Sequence, residues 1–105
     1  MEKLPSSFRE RNRTSREFRE QYARLPDKIQ RLVREACVFF DQNPNHPSLR
    51  RHLLVDRSES SHQPGSFSVS ITMQYRAIYV EVDGANVWYW IGTHAAYKTY
   101  TASKR

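Results

Sequence analysis

Apolar residues at Ile29, Leu32, Val33, Ala36, Cys37 and Phe40 recur three and four apart, which puts them on one side of a helix. The spacing predicts a helix opening at Pro26, whose fixed φ suits a first helical residue. It should stop near Asp41 to Asn43, because Asn43-Pro44-Asn45-His46-Pro47-Ser48 is a turn-forming run. Upstream, Phe18, Tyr22 and Leu25 also recur at helical spacing. Thr14 with Glu17 matches a capping box and marks the start of this earlier helix. Leu25-Pro26 ends it, since a residue before proline is pushed away from helical angles. So short a link predicts an antiparallel helix pair. Phe8 to Arg13 reads equally as a short edge strand or as the lead-in to a helix.

After the turn the period changes from helical to alternating. Leu49 to Val55 reads as a first strand, followed by a polar loop from Asp56 to Ser66. Phe67, Val69, Ile71 and Met73 alternate with Ser68, Ser70, Thr72 and Gln74, the pattern of a half-buried strand. Tyr75 to Val82 is a further strand, Asp83-Gly84 a hairpin turn, and Val87 to Gly92 the returning arm. Ala95 to Thr101 reads as a short helical turn. The predicted fold is α+β: two antiparallel helices packed on one face of a small antiparallel sheet of three or four strands. A chain of 105 residues fits a single domain, with loose polar ends at 1–7 and 102–105.

Charge narrows the class of partner. Seventeen Lys and Arg against eleven Asp and Glu give a formal net charge of +6, which favours an acidic partner such as nucleic acid. No apolar run is long enough to cross a membrane, and the N-terminus lacks the apolar core of a signal peptide. With a single cysteine, Cys37, no internal disulfide is possible, which fits a cytoplasmic protein, and its place in the helical stripe makes it buried filler. No metal-ligand spacing, P-loop, dinucleotide fingerprint or nucleophile elbow occurs, so no cofactor is implied.

Burial explains Trp88 and Trp90, but it does not ask for a histidine where the strand runs out at Gly92-Thr93-His94. An imidazole there can exchange a proton near neutral pH. Arg76 interrupts the neighbouring strand where a neutral residue is easier to accommodate. Arg76 and His94 sit on two arms of one hairpin, so the turn decides whether they meet. A three-residue loop, Asp83 to Ala85, pairs Arg76 with Gly92 and puts His94 on the same face. Two- or four-residue loops put them on opposite faces unless the chain bends after Gly92, and the sequence does not choose. Tyr97 and Tyr100 can point to the same side from the helical turn that follows. Arg50, Arg51, His52, Lys98, Lys104 and Arg105 surround the sheet with positive charge. Arg16, Arg19 and Arg24 alternate with Glu17 and Glu20 and read as a solvated, paired helix face.

The order of these segments resembles the RelE/ParE superfamily of bacterial type II toxins. The helical pair contains Leu25-Pro26, and Asn43-Pro44 and a basic-leucine strand follow; the Tyr75-Arg76 strand precedes a last strand ending in Gly92-Thr93-His94. The resemblance implies one of two activities. RelE-like members cut mRNA in the ribosomal A site, whereas ParE-like members poison DNA gyrase without nuclease residues. The general acid after the last strand is arginine in some members and histidine in YafQ-like ones, so the RelE/YafQ-like nuclease side is favoured. There Arg76 takes the place of an arginine on the scissile phosphate. His94 then takes the place of the general acid. A tyrosine orients the RNA there; Tyr100 has the better spacing and Tyr97 is the substitute. RelE itself carries two lysines on the strand that here reads Phe67-Ser68-Val69-Ser70-Ile71, so Ser68 and Ser70 stand at the positions expected to face RNA. The implied partners are a small acidic antitoxin and the ribosome with its mRNA, or gyrase in the ParE-like case. A third reading is a basic RNA-binding module without activity.

Overall fold

The computed structural model describes residues 4, 6–56 and 60–102. The region read as strand or helix lead-in contains both in succession: α1 (Ser6–Arg11) and then β1 (Asn12–Thr14). Leu4 and Phe8 are buried in the core. The remaining N-terminal residues assigned to a loose end, and those from 103 on, lie outside the described residues.

Helix α2 (Arg16–Ala23) is capped by Ser15, whose hydroxyl accepts from the Phe18 amide. The expected cap, Thr14, is already committed to strand pairing opposite Trp88, and the Ser15 amide donates to the Trp88 carbonyl. Helix α3 (Asp27–Gln42) follows, with Pro26 as its N-cap residue, and buries the predicted Val33, Ala36, Cys37 and Phe40. Burial pushes the Cys37 thiol up to about 12, which removes it as a nucleophile near neutral pH. On the outer surface Arg16 pairs with Glu20 at 3.1 Å, the solvated face that the alternating charges suggested.

The sheet has five strands in the order β1-β5-β4-β3-β2, one more than the largest number expected, and it is mixed rather than purely antiparallel. Strand β1 runs parallel to β5 (Ala85–Thr93), while β5, β4 (Tyr75–Val82), β3 (Ser66–Ser70) and β2 (His52–Leu53) are antiparallel to one another. The strand read over 49–55 shrinks to His52–Leu53, because Pro47–Leu49 forms a 3-10 turn and Arg50 takes a left-handed φ of 44°.

The sheet carries a core on each face. On the helix side Phe18, Val33 and Phe40 pack against Val69, Ala77, Tyr79, Trp88 and Ile91. There Phe40, Tyr79 and Trp88 form an aromatic triangle with centroids 4.6 to 5.3 Å apart. On the other face Leu54, Ile78, Tyr89 and Trp90 pack with Tyr97 of α4 (His94–Thr101). This second layer corrects the half-buried reading of β3: Ser66 and Ser68 are fully closed to solvent and Ser70 nearly so.

Candidate functional site

The two arms that carry Arg76 and His94 are joined by the two-residue turn Asp83-Gly84, with Val82 paired to Ala85. Both turn residues have positive φ, 51° and 81°, the pairing that a tight hairpin with native twist requires. A uniform two-residue hairpin would set Arg76 and His94 on opposite faces. The register instead shifts between Ile78 and Tyr79, where Ile78 pairs with Trp90 and Tyr79 with Trp88. Tyr89 is the extra residue of this bulge, and its hydroxyl is fixed by Ser66 Oγ at 2.6 Å and by the Gln63 amide at 2.9 Å. Arg76 therefore pairs with Gly92, the register that a longer loop would have given.

Gly92 earns its place by close packing. A Cβ there would stand 2.9 Å from Trp90 Cη2, so the indole occupies the space a side chain needs. The strand then passes directly into α4, where the Thr93 hydroxyl caps the Ala96 amide. The His94 amide donates to the Gln74 carbonyl at 2.7 Å, which fixes the first helical residue against the β3–β4 connection.

The side chains of Arg76 and His94 meet. Arg76 Nε donates to His94 Nδ1 at 3.0 Å, and Arg76 Nη1 donates to Ser68 Oγ at 3.3 Å. An arginine only donates, so His94 accepts at Nδ1 and is neutral, with its hydrogen on Nε2. Partial desolvation, then the charges of Arg76 and Lys98, lower the His94 pKa from its ordinary value. Tyr97 is the floor of the pair: its ring stacks on the imidazole at 5.8 Å, and the Arg76 guanidinium carbon lies 5.0 Å from its centroid. The Tyr97 hydroxyl in turn lies 3.3 Å from His52 Nε2. His52 Nδ1 faces the Arg50 carbonyl at 3.2 Å, so that nitrogen carries the hydrogen and Nε2 presents a lone pair.

The cluster is thus Arg76, His94, Tyr97 and His52, with Lys98 one residue along the helix. Tyr100 is not part of it. It stacks on Trp90 at 5.2 Å within the second core, and burial, then the nearby Tyr89, raise its pKa. Arg51 also leaves the site: it donates to the Tyr79 hydroxyl and to Asn45 and lies over Phe67, on the helix side. Ser68 and Ser70 share the site's face but are buried, and Ser68 supports Arg76 rather than facing solvent. Arg50 is exposed at the edge of the same face, lining a shallow depression with Ser70 and Thr72. Lys104 and Arg105 lie outside the described residues. His52, read from the sequence only as charge near the sheet, is the member whose place the residues did not reveal. Its strand is two residues long and has no period to reveal its direction.

No protein-family model and no curated protein matches the chain. Solved structures do. YafQ from E. coli strain BL21(DE3) superposes with a TM-score of 0.61 at 17% identity, covering 82% of this chain and 94% of that one. The YoeB/ParE toxin from Agrobacterium tumefaciens gives 0.61 at 12%, covering 80% and 98%. The toxin-antitoxin complex RelBE2 from Mycobacterium tuberculosis contributes a chain at 0.60 and 22%, covering 80% and 96%. The likeness is one of fold, and it upholds the RelE/ParE-type architecture read from the order of segments.

Proposed function

We propose that this protein is the toxin of a toxin–antitoxin pair and that it cuts mRNA on the ribosome by attack of the RNA's own 2′-hydroxyl. The observation that carries the reading is the Arg76–His94 pair, 3.0 Å apart, with His52 across the Tyr97 ring from it. Two imidazoles and a guanidinium supply what this reaction needs: a base, an acid and a charge that neutralises the phosphoryl oxygens. The fold shared with solved toxins supports the same reading, and so do the toxin–antitoxin complexes among them. By that analogy the partner is an antitoxin; acidic character follows from the net charge of +6.

The chemistry assigns a role to each group. His52 Nε2 accepts from the Tyr97 hydroxyl in the resting protein; when the RNA's 2′-hydroxyl displaces that contact, Nε2 takes its proton. The 2′-oxygen attacks the adjacent phosphorus in line, the bond to the 5′-oxygen breaks, and His94 gives that oxygen a proton. The products are a 2′,3′-cyclic phosphate and a free 5′-hydroxyl. In the resting protein His94 is neutral and holds Arg76. An incoming phosphate draws the guanidinium onto its oxygens and places negative charge beside the imidazole, which raises its affinity for a proton. Substrate entry therefore charges the acid. The ribosome holds the RNA in the in-line geometry that so shallow a site does not impose alone.

The reading is tested with an mRNA carrying a single 2′-O-methyl group at the nucleotide before the cut, presented on purified ribosomes. The methyl group should abolish cleavage there, and unmodified message should yield fragments ending in cyclic phosphate. Fragments that start with a 5′-phosphate, or cutting that ignores the methyl group, would overturn the mechanism.

A further inference from the structure

We infer that the cavity between β2 and α4 is a nucleobase pocket that selects an amino-bearing base, adenine or cytosine, over the keto bases. The inference rests on the ribonuclease reading for what brings RNA to it, but its geometry stands separately. The cavity is about 330 Å³, with His52, Leu54, Val55, His62, Tyr97 and Lys98 among its walls. That volume is at the small end of ligand pockets, roughly 300–1,000 Å³, and suits one ring system better than a larger ligand. Tyr97 and His52 belong to both the cavity and the candidate site, so a base here is the neighbour of a phosphate at Arg76 and His94.

His62 decides which base. It is 6% exposed, and its Nε2 lies 3.0 Å from the Val55 carbonyl, which only accepts. Nε2 therefore carries the hydrogen and Nδ1 of the neutral ring presents a lone pair. That Nδ1 is buried and has no hydrogen-bond partner among the described residues. A buried acceptor left unpaired is costly, and the Tyr97 hydroxyl on the same cavity wall is already engaged with His52. Nδ1 has no exposed surface in the unliganded protein, so a base reaches it only if wall side chains such as Leu53, Val55 and Lys98 move aside. An exocyclic amine completes the acceptor. A carbonyl at the same place, as in guanine or uracil, sets two acceptors against each other.

AMP and IMP differ at this position by amine against carbonyl, and they are the probes. The full chain, ¹⁵N-labelled, is titrated with each while the imidazole nitrogens of His62 are followed by NMR. AMP should shift the His62 Nδ1 signal and bind about tenfold more tightly than IMP. His62→Leu should bring the two nucleotides to equal affinity. Val55→Trp, at an exposed position on the mouth, should weaken AMP without lowering the melting temperature, which covers the case of a misfolded His62→Leu. Equal binding of AMP and IMP by wild type, or AMP binding that leaves His62 signals unmoved, overturns the inference. The titration contains no ribosome, so it can succeed where mRNA cleavage fails and the reverse.

Discussion

The hydrogen bond from Arg76 to His94 makes each side chain a condition of the other. While Nδ1 accepts from the guanidinium, the imidazole holds no extra proton, and desolvation with the charges of Arg76 and Lys98 keeps its pKa below the ordinary value of about 6.5. A histidine whose folded pKa is depressed favours folding above its unfolded pKa, and that contribution fades as pH falls below the unfolded pKa toward the folded one. Removing the guanidinium charge should lessen the shift, with desolvation and Lys98 still acting. We expect the His94 midpoint in an NMR titration of Arg76→Gln to move upward from wild type; an unchanged or lower midpoint would show that Arg76 does not govern the imidazole. Both residues were legible in the sequence, because an arginine inside a strand and a histidine after a glycine are out of place for burial alone. The choice between Tyr97 and Tyr100 was not. His94 proves to be the first residue of α4. At roughly 100° per residue Tyr97 lies about 60° from it around the helix and Tyr100 about 120°, so only Tyr97 shares its side.

At the scale of elements the hairpin joins fold to function. Asp83-Gly84 was recognisable as a turn, but turn length alone gives the wrong face for His94. The Tyr89 bulge restores it, and a bulge depends on tertiary partners, here Ser66 and Gln63, that no local pattern reveals. The same bulge sends Trp88 to the helix side and Trp90 to the other, where its ring covers the position a Gly92 side chain would take. Gly92→Ala should therefore push Trp90 aside and lower stability by about 1–3 kcal/mol, read from the midpoint of urea unfolding. A midpoint equal to that of wild type would mean that the indole moves freely and that the glycine has another purpose. Long periodic segments such as α3, β4 and β5 were legible because their apolar spacing states their type. The short ones were not: β1 and β2 are fixed by pairing with distant strands, and Asn12 is held by Trp88 Nε1 at 2.8 Å across the sheet edge.

For the whole molecule, one face of the sheet carries the helices and the other carries the candidate site together with α4 and the second core. This division explains why the alternating serines of β3 are buried. Ser68 props Arg76, and in the proposed reaction the two histidines would bring the exchangeable protons. A net charge of +6 favours an acidic partner, which in the proposed reading means RNA and antitoxin alike, and leaves specificity to the site. The most direct measurement is cleavage of a defined mRNA on purified ribosomes by wild type and by His94→Ala, with folding of both checked by circular dichroism. The account predicts discrete cuts by wild type and a loss of roughly 10²–10⁴-fold in rate for the variant. Intact message with wild type, or equal cutting by a folded His94→Ala, would contradict it.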